Sequence, residues 1–182
     1  MKRLVLSILV VLVPATPVLA GVGTVGVYAD SRGVSCSMTD NGGNSLIITY
    51  VVHRFGPGEQ ATNCRFKIEP PAGASWQYIG FTGAFFFSGR ADIDISVEYG
   101  VCTSTQTLAG AAYWYSLAAS PACGELSIKG GLNGQLAATD CLYVYRPLQA
   151  SDPLTVNPSP ACSCDVLATE PATWGKVKAL YR

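Results

Sequence analysis

Seven cysteines, Cys36, Cys64, Cys102, Cys123, Cys141, Cys162 and Cys164, are the side chains best equipped for chemistry in this chain. Thiols can form disulfides, ligate zinc or act as nucleophiles. Zinc requires clustered thiolates and imidazoles, and the chain has no Cys-x-x-Cys pair and a single histidine, His53. No metal and no cofactor is therefore expected, and a disulfide framework is the reading that fits. An odd count leaves one thiol over, and the pairing is not fixed by the sequence. Cys162 and Cys164 are too close to bond each other without strain, so each is expected to face a distant partner or to stay free.

His53 is the histidine that any Ser-His-Asp or Cys-His site would have to use. It lies inside an apolar run, and no Gly-x-Ser-x-Gly elbow occurs, so a structural role is expected. Asp92, Asp94 and Glu98 fall on one face of an alternating segment. Paired carboxylates can do acid–base work or bind calcium, but alternating acids also describe a solvated strand face. Asp40-Asn41-Gly42-Gly43-Asn44 offers oxygen ligands without the spacing or terminal Glu of a calcium loop, and reads as a turn. No catalytic residue is assigned, and the chain is not expected to be an enzyme.

Trp76, Tyr78, Tyr113, Trp114 and Tyr115 form the strongest binding lead. Exposed aromatics stack on sugar rings or anchor protein contacts. In Tyr113-Trp114-Tyr115 the tyrosines share one face and the tryptophan takes the other, so one side belongs to a core and the second can form a patch.

These groups must be positioned by strands. Val22 to Tyr28, Leu46 to Phe55, Asn63 to Glu69, Trp76 to Phe81, Gly83 to Phe87, Arg90 to Tyr99, Ala111 to Leu117, Glu125 to Lys129 and Thr139 to Tyr145 are β-branched or aromatic runs between turn formers. Within Arg90 to Tyr99, Ile93, Ile95, Val97 and Tyr99 alternate with Asp92, Asp94, Ser96 and Glu98, the period of a half-buried strand. About nine short strands at this spacing predict an all-β sandwich, Ig-like or jelly-roll, stapled by disulfides. After Pro147 the proline-rich segment predicts an irregular extension. Thr173 then caps an expected short helix carrying Trp174, Val177, Leu180 and Tyr181.

Lys2 and Arg3, the apolar run Leu4 to Val13 and the small-residue end Val18-Leu19-Ala20 form a signal-peptide pattern. Pro14 and Pro17 cut the apolar run short of the roughly 20 residues a membrane span needs. The expected organisation is a leader over 1–20, a sandwich over 21–148 and a disulfide-tied extension over 149–182. Without the leader, ten basic residues face twelve acidic ones, a formal charge of −2. The charges are scattered, which excludes an electrostatic footprint for nucleic acid or anionic membrane.

Leu46 to Phe87, with Cys64-Arg65-Phe66-Lys67-Ile68 and Trp76-Gln77-Tyr78-Ile79, resembles the opening strands of cohesin-type sandwiches. That resemblance implies a β-sandwich, and cohesins bind dockerins with a flat sheet face; the many cysteines depart from the family's pattern. Val27-Tyr28-Ala29-Asp30, Ser35-Cys36, Cys162-Ser163-Cys164 and the terminal Thr173 to Arg182 resemble a group of uncharacterised, secreted, cysteine-bearing bacterial proteins. This second resemblance implies export and a bacterial source, and no activity. The function expected is a non-enzymatic extracellular or envelope binding module with a protein or glycan partner. A carbohydrate-binding module using the aromatics and a carboxylate-based hydrolase are the alternatives, and a structural envelope component is the remaining class.

Overall fold

A strand with apolar residues at every second position must bury one face, and two such sheets satisfy each other by packing face to face. The computed structural model of the chain describes residues 21–162 and Cys164. The expected leader and the expected helix after Thr173 lie outside the described residues. The described chain is all-β. The longer strands are β1 (Thr24–Tyr28), β3 (Ser45–Arg54), β4 (Ala61–Glu69), β5 (Trp76–Thr82), β6 (Phe86–Arg90), β7 (Asp94–Thr103), β8 (Thr107–Ser116) and β9 (Gly124–Lys129). Five short ones complete the set: β2 (Ser37–Met38), β10 (Ala137–Thr139), β11 (Tyr145–Pro147), β12 (Gln149–Ala150) and β13 (Leu154–Val156).

The first sheet has the order β12-β1-β3-β8-β5. The second runs β11-β10-β4-β9-β13-β2, with β7 also paired to β4 and β6 to β7. Two pairs are parallel, β1 with β12 and β13 with β2. Between the sheets lie Val25, Val27, Val51, Phe66, Ile68, Ile95, Val97, Trp114, Leu126 and Leu154, all fully buried. Each such side chain contributes about 1.5–3 kcal/mol on removal from water.

Three sequence expectations change. Thr139 to Tyr145 is not one strand: Asp140 turns the chain, and β10 and β11 pair as a hairpin. Ile93 and Asp92 precede the strand they were assigned to; β7 starts at Asp94, and Ile93 is exposed in the turn. The segment after Pro147, irregular in composition, adds β12 to one sheet and β13 to the other, and Leu154 and Val156 are part of the core.

Six of the seven cysteines are bonded: Cys36–Cys164, Cys102–Cys141 and Cys123–Cys162. Cys162 and Cys164 thus reach partners far along the chain rather than each other. Cys64 is not bonded, contrary to its place among the disulfide candidates, because it points from β4 into the core. In the loop-entropy picture, loops closed over 128 and 39 residues stabilise by about 5 and about 4 kcal/mol respectively.

Candidate functional site

Strand alternation sets out the exposed face of the second sheet. On β7, Ile95, Val97 and Tyr99 are buried, so Asp94, Ser96 and Glu98 face outward. Opposite them on β6 stand Arg90, Ser88 and Phe86, and on β4 Arg65 and Asn63 pair with Ser96 and Glu98. The Thr139 amide donates to Asn63 Oδ1 at 2.8 Å, and Thr139 pairs with Tyr145 on β11. A single row therefore runs Phe86, Glu98, Asn63, Thr139, Tyr145 across five strands, roughly 19 Å at the usual strand spacing. Its two ends are aromatic and exposed, Phe86 to 74% and Tyr145 to 49%; its middle is polar.

The acids on this face do not form catalytic pairs. Arg65 grips Asp94 with two hydrogen bonds, Nε to Oδ1 at 2.8 Å and Nη2 to Oδ2. That grip holds the Asp94 carboxyl below the usual range against the opposing effect of burial. Gly131 packs against the same carboxylate, where a Cβ would collide with it. Asp92 is tied to Arg90 in the preceding turn, with Nη2–Oδ2 at 2.8 Å. Asp94 and Glu98 sit four residues apart on one strand, about 13 Å between Cα atoms.

Above the row, the β10–β11 turn forms a rigid apolar tip. Leu142 is 78% and Tyr143 82% exposed. Asp140, at the start of the turn, organises it. Its Oδ1 accepts the Leu142 amide at 2.9 Å and the Val144 amide at 2.8 Å, and its Oδ2 accepts Arg146 Nε at 3.0 Å. Its own amide donates to the Val144 carbonyl at 2.9 Å. The backbone N–H of Val144 is the first cause of the lowered Asp140 pKa. Tyr143 is held at a φ of 61°, a left-handed conformation that bulky residues rarely adopt and that clusters at functional sites. Cys141 bolts this turn to Cys102 at the end of β7. The tip is thus ordered before any partner arrives, which lowers the entropic cost of binding.

The residues singled out from the sequence are scattered by comparison. Trp76 and Trp114 are core side chains, their rings tilted against each other at 6.1 Å between centroids, and Tyr78 packs edge-on against Trp114 at 5.4 Å. The two tryptophans are therefore closed to an exposed platform, and Tyr78 is half-buried against them. Tyr113 and Tyr115 do face outward, on the first sheet rather than the second; their hydroxyls meet Thr82 Oγ1 and Asn44 Oδ1, each at 3.2 Å. The sequence hides the tip because Leu142, Tyr143, Val144 and Tyr145 have the composition of a strand. The signal against a strand was Asp140, whose short side chain favours turns.

His53 on β3 is buried and fully partnered. Nε2 lies 2.6 Å from the Val22 carbonyl, so it must donate, and Nδ1 must accept from the Tyr99 hydroxyl at 2.8 Å. Tyr99 has one proton and gives it to His53, so across its 3.0 Å contact with Cys64 the thiol is the donor. All three groups are neutral in this chain. Burial lowers the His53 pKa to about 4 and raises that of Cys64 to about 12, while Tyr99 is driven well above its ordinary value. A depressed histidine pKa stabilises the fold above its unfolded value of 6.5 and withdraws that stability as pH falls towards 4. Urea unfolding between pH 7 and pH 4 is expected to lose about 3 kcal/mol through this residue. A His53→Gln variant, less stable at pH 7, is expected to show a flatter pH dependence over that window.

Among the described residues no three His, Cys, Asp or Glu side chains stand close enough to hold a metal ion. No protein-family model matches the chain, and no curated protein does. Solved structures do match. The sixth cohesin of scaffoldin B from Acetivibrio cellulolyticus, in complex with a Cel5 dockerin mutant, superposes with a TM-score of 0.50 and 14% identity, covering 75% of this chain and 98% of that one. The cohesin module of a family 33 glycoside hydrolase from Clostridium perfringens gives 0.54 and 11% over 77% and 100%. A type II cohesin domain from the Acetivibrio cellulolyticus cellulosome gives 0.50 and 9% over 74% and 94%. At these identities the likeness shows the fold, a cohesin-like β-sandwich.

Proposed function

We propose that this chain is a non-enzymatic protein-docking module that works outside the cytoplasm and grips its partner with the outer face of the second sheet and the Leu142–Tyr143 tip. The observation that carries the reading is the tip itself. An exposed leucine and tyrosine, fixed by Asp140 and a disulfide in a strained turn, form a hot-spot anchor with no packing role of their own. The disulfides support an oxidising compartment, in keeping with the leader pattern. The fold shared with a cohesin solved on a dockerin supports a protein partner over a small substrate.

The test is capture by the oxidised protein from an envelope protein extract, alongside insoluble polysaccharides and peptidoglycan. Leu142→Asp is expected to weaken capture about thirtyfold, the scale of a lost hot spot, and to leave the melting temperature within a degree or two. Capture that ignores Leu142→Asp and Tyr143→Ala would remove the tip from the reading. A glycan reading rests on Tyr113 and Tyr115, which share the outer face of the first sheet, where their rings can stack on sugars. Retention on one polysaccharide, competed by its soluble sugar and lost in Tyr113→Ala, would establish that reading instead.

A further inference from the structure

Beside the tip the sheet face deepens into a cleft of about 270 Å³, lined by Asn63, Glu98, Val101, Thr139 and Tyr143 among others. Val101 and Tyr143, both largely exposed, supply its apolar lining, and the Cys102–Cys141 disulfide borders it. Its one charged group is the Glu98 carboxylate. Glu98 is half-buried, and the two hydrogen bonds it receives, from Ser96 Oγ at 2.9 Å and Asn63 Nδ2 at 3.4 Å, both reach Oε1. Among the described residues Oε2 accepts none. On the same face Asp94 is neutralised by Arg65 and Glu69 by Lys67 at 3.3 Å, whereas Glu98 has no cation among the described residues. A half-buried carboxylate without a cation, in a cleft also lined by an aromatic ring and a valine, fits an ammonium group on an alkyl stem. The stem covers Val101 and Tyr143, and the head reaches Glu98 Oε2 and the face of the ring.

Resting on the docking reading above, we infer that the Glu98–Tyr143 cleft receives a lysine side chain of the protein partner. Lysine fits better than arginine, because Oε1 is already occupied and the site offers one free carboxylate oxygen rather than the two a guanidinium fork uses.

The probe is Nα-acetyl-lysine N-methylamide, titrated into the ¹⁵N-labelled oxidised protein. Saturable shifts are expected at the amides of Asn63, Val101 and Tyr143, with a Kd on the order of millimolar. The Nζ-acetylated analogue, and Glu98→Gln against the unmodified probe, are each expected to bind at least tenfold more weakly. Gln keeps the Oε1 acceptor, so Glu98→Gln removes the charge without disturbing Ser96 or Asn63. Absence of shifts up to about 50 mM probe, or equal shifts with the acetylated analogue, would overturn the inference. Tighter binding of free 1,5-diaminopentane than of the lysine probe would assign the cleft to a small amine and overturn the protein source. Partner capture that depends on Leu142 but not on Glu98 would sink the lysine assignment alone, whereas insensitivity to both would sink the docking reading with it.

Discussion

Replacing Asp40 by alanine is expected to lower stability by about 4 kcal/mol, roughly 10–15 °C in Tm, more than any surface change in this domain. Asp40 is buried at the end of the sandwich opposite the tip, in the segment between β2 and β3. Its Oδ2 accepts Trp76 Nε1 at 3.2 Å, the Ser120 amide at 2.9 Å and the Ser120 hydroxyl. Its Oδ1 accepts Asn157 Nδ2 at 2.8 Å, and its own amide donates to Asn157 Oδ1 at 2.9 Å. One carboxylate thereby joins β5, the loop before β9 and the residue after β13. Alanine would leave the donors from Trp76, Ser120 and Asn157 unpaired in the interior, where each orphan costs about 1–3 kcal/mol. Asparagine is expected to cost about half as much. Its oxygen can serve one side, but its amide then faces a donor on the other. Guanidinium unfolding of both variants at pH 7 checks the ranking.

The same residue gives an acid dependence of definite sign. Burial raises the Asp40 pKa, but hydrogen bonds from Ser120, Asn157 and Trp76 outweigh it and hold the value below the ordinary 3.8. A depressed carboxylate pKa stabilises the fold above about 3.8 and withdraws that contribution as pH falls through the folded value. Acid unfolding therefore falls into two pH windows, one set by His53 and one by carboxylates. The His53 loss falls between pH 6.5 and 4. The Asp40 loss sets in below about pH 3.8 together with those of Asp30, Asp94 and Asp140, whose carboxyls are also held low, so Asp40→Ala should shrink that second component and leave the His53 one unchanged.

The second large effect is expected at Trp114, where alanine should cost about 4–5 kcal/mol. The indole is 1% exposed, touches both Trp76 and Tyr78, and donates from Nε1 to Thr49 Oγ1 at 3.1 Å. Truncation opens a cavity between the sheets and strips Thr49 of its donor. Its neighbour Tyr115 faces solvent, and Tyr115→Ala is expected to cost less than about 1 kcal/mol. The contrast between adjacent residues is the diagnostic. Equal losses in thermal unfolding would contradict the assignment of faces on β8, and a near-neutral Trp114→Ala would take the tryptophan out of the core.

The outcome at β8 shows what alternation can convey. Tyr113-Trp114-Tyr115 announces that one face is core, and the register with β3 and β5 then decides which. Likewise, the buried side of β7 was legible in Ile95, Val97 and Tyr99, because burial and period two agree there. Legibility failed where a short side chain controlled a longer apolar run. Leu142-Tyr143-Val144-Tyr145 has the composition of a strand, and Asp140 converts it into a turn through four hydrogen bonds that no periodicity reports. It failed again after Pro147, where β12 and β13 are too short to show a pattern and owe their pairing to neighbours distant in sequence. The exposed face was legible only in part. Asp94 and Glu98 read alike in the sequence, and the difference between them is the reach of Arg65 from the next strand.

The Cys36–Cys164 bond also decides how this domain would respond to a pulling force. If the chain is drawn taut between Gly21 and the residues following Cys164, tension passes along residues 21–36 and crosses the disulfide to Cys164. Everything from 37 to 163 forms a covalent loop that cannot be extended, including every strand of the proposed docking face. Only β1 and the loop after it can be drawn out, sixteen residues that reach about 55 Å when extended. A module tethered at both ends could therefore be stretched while the surface that holds its partner keeps its shape.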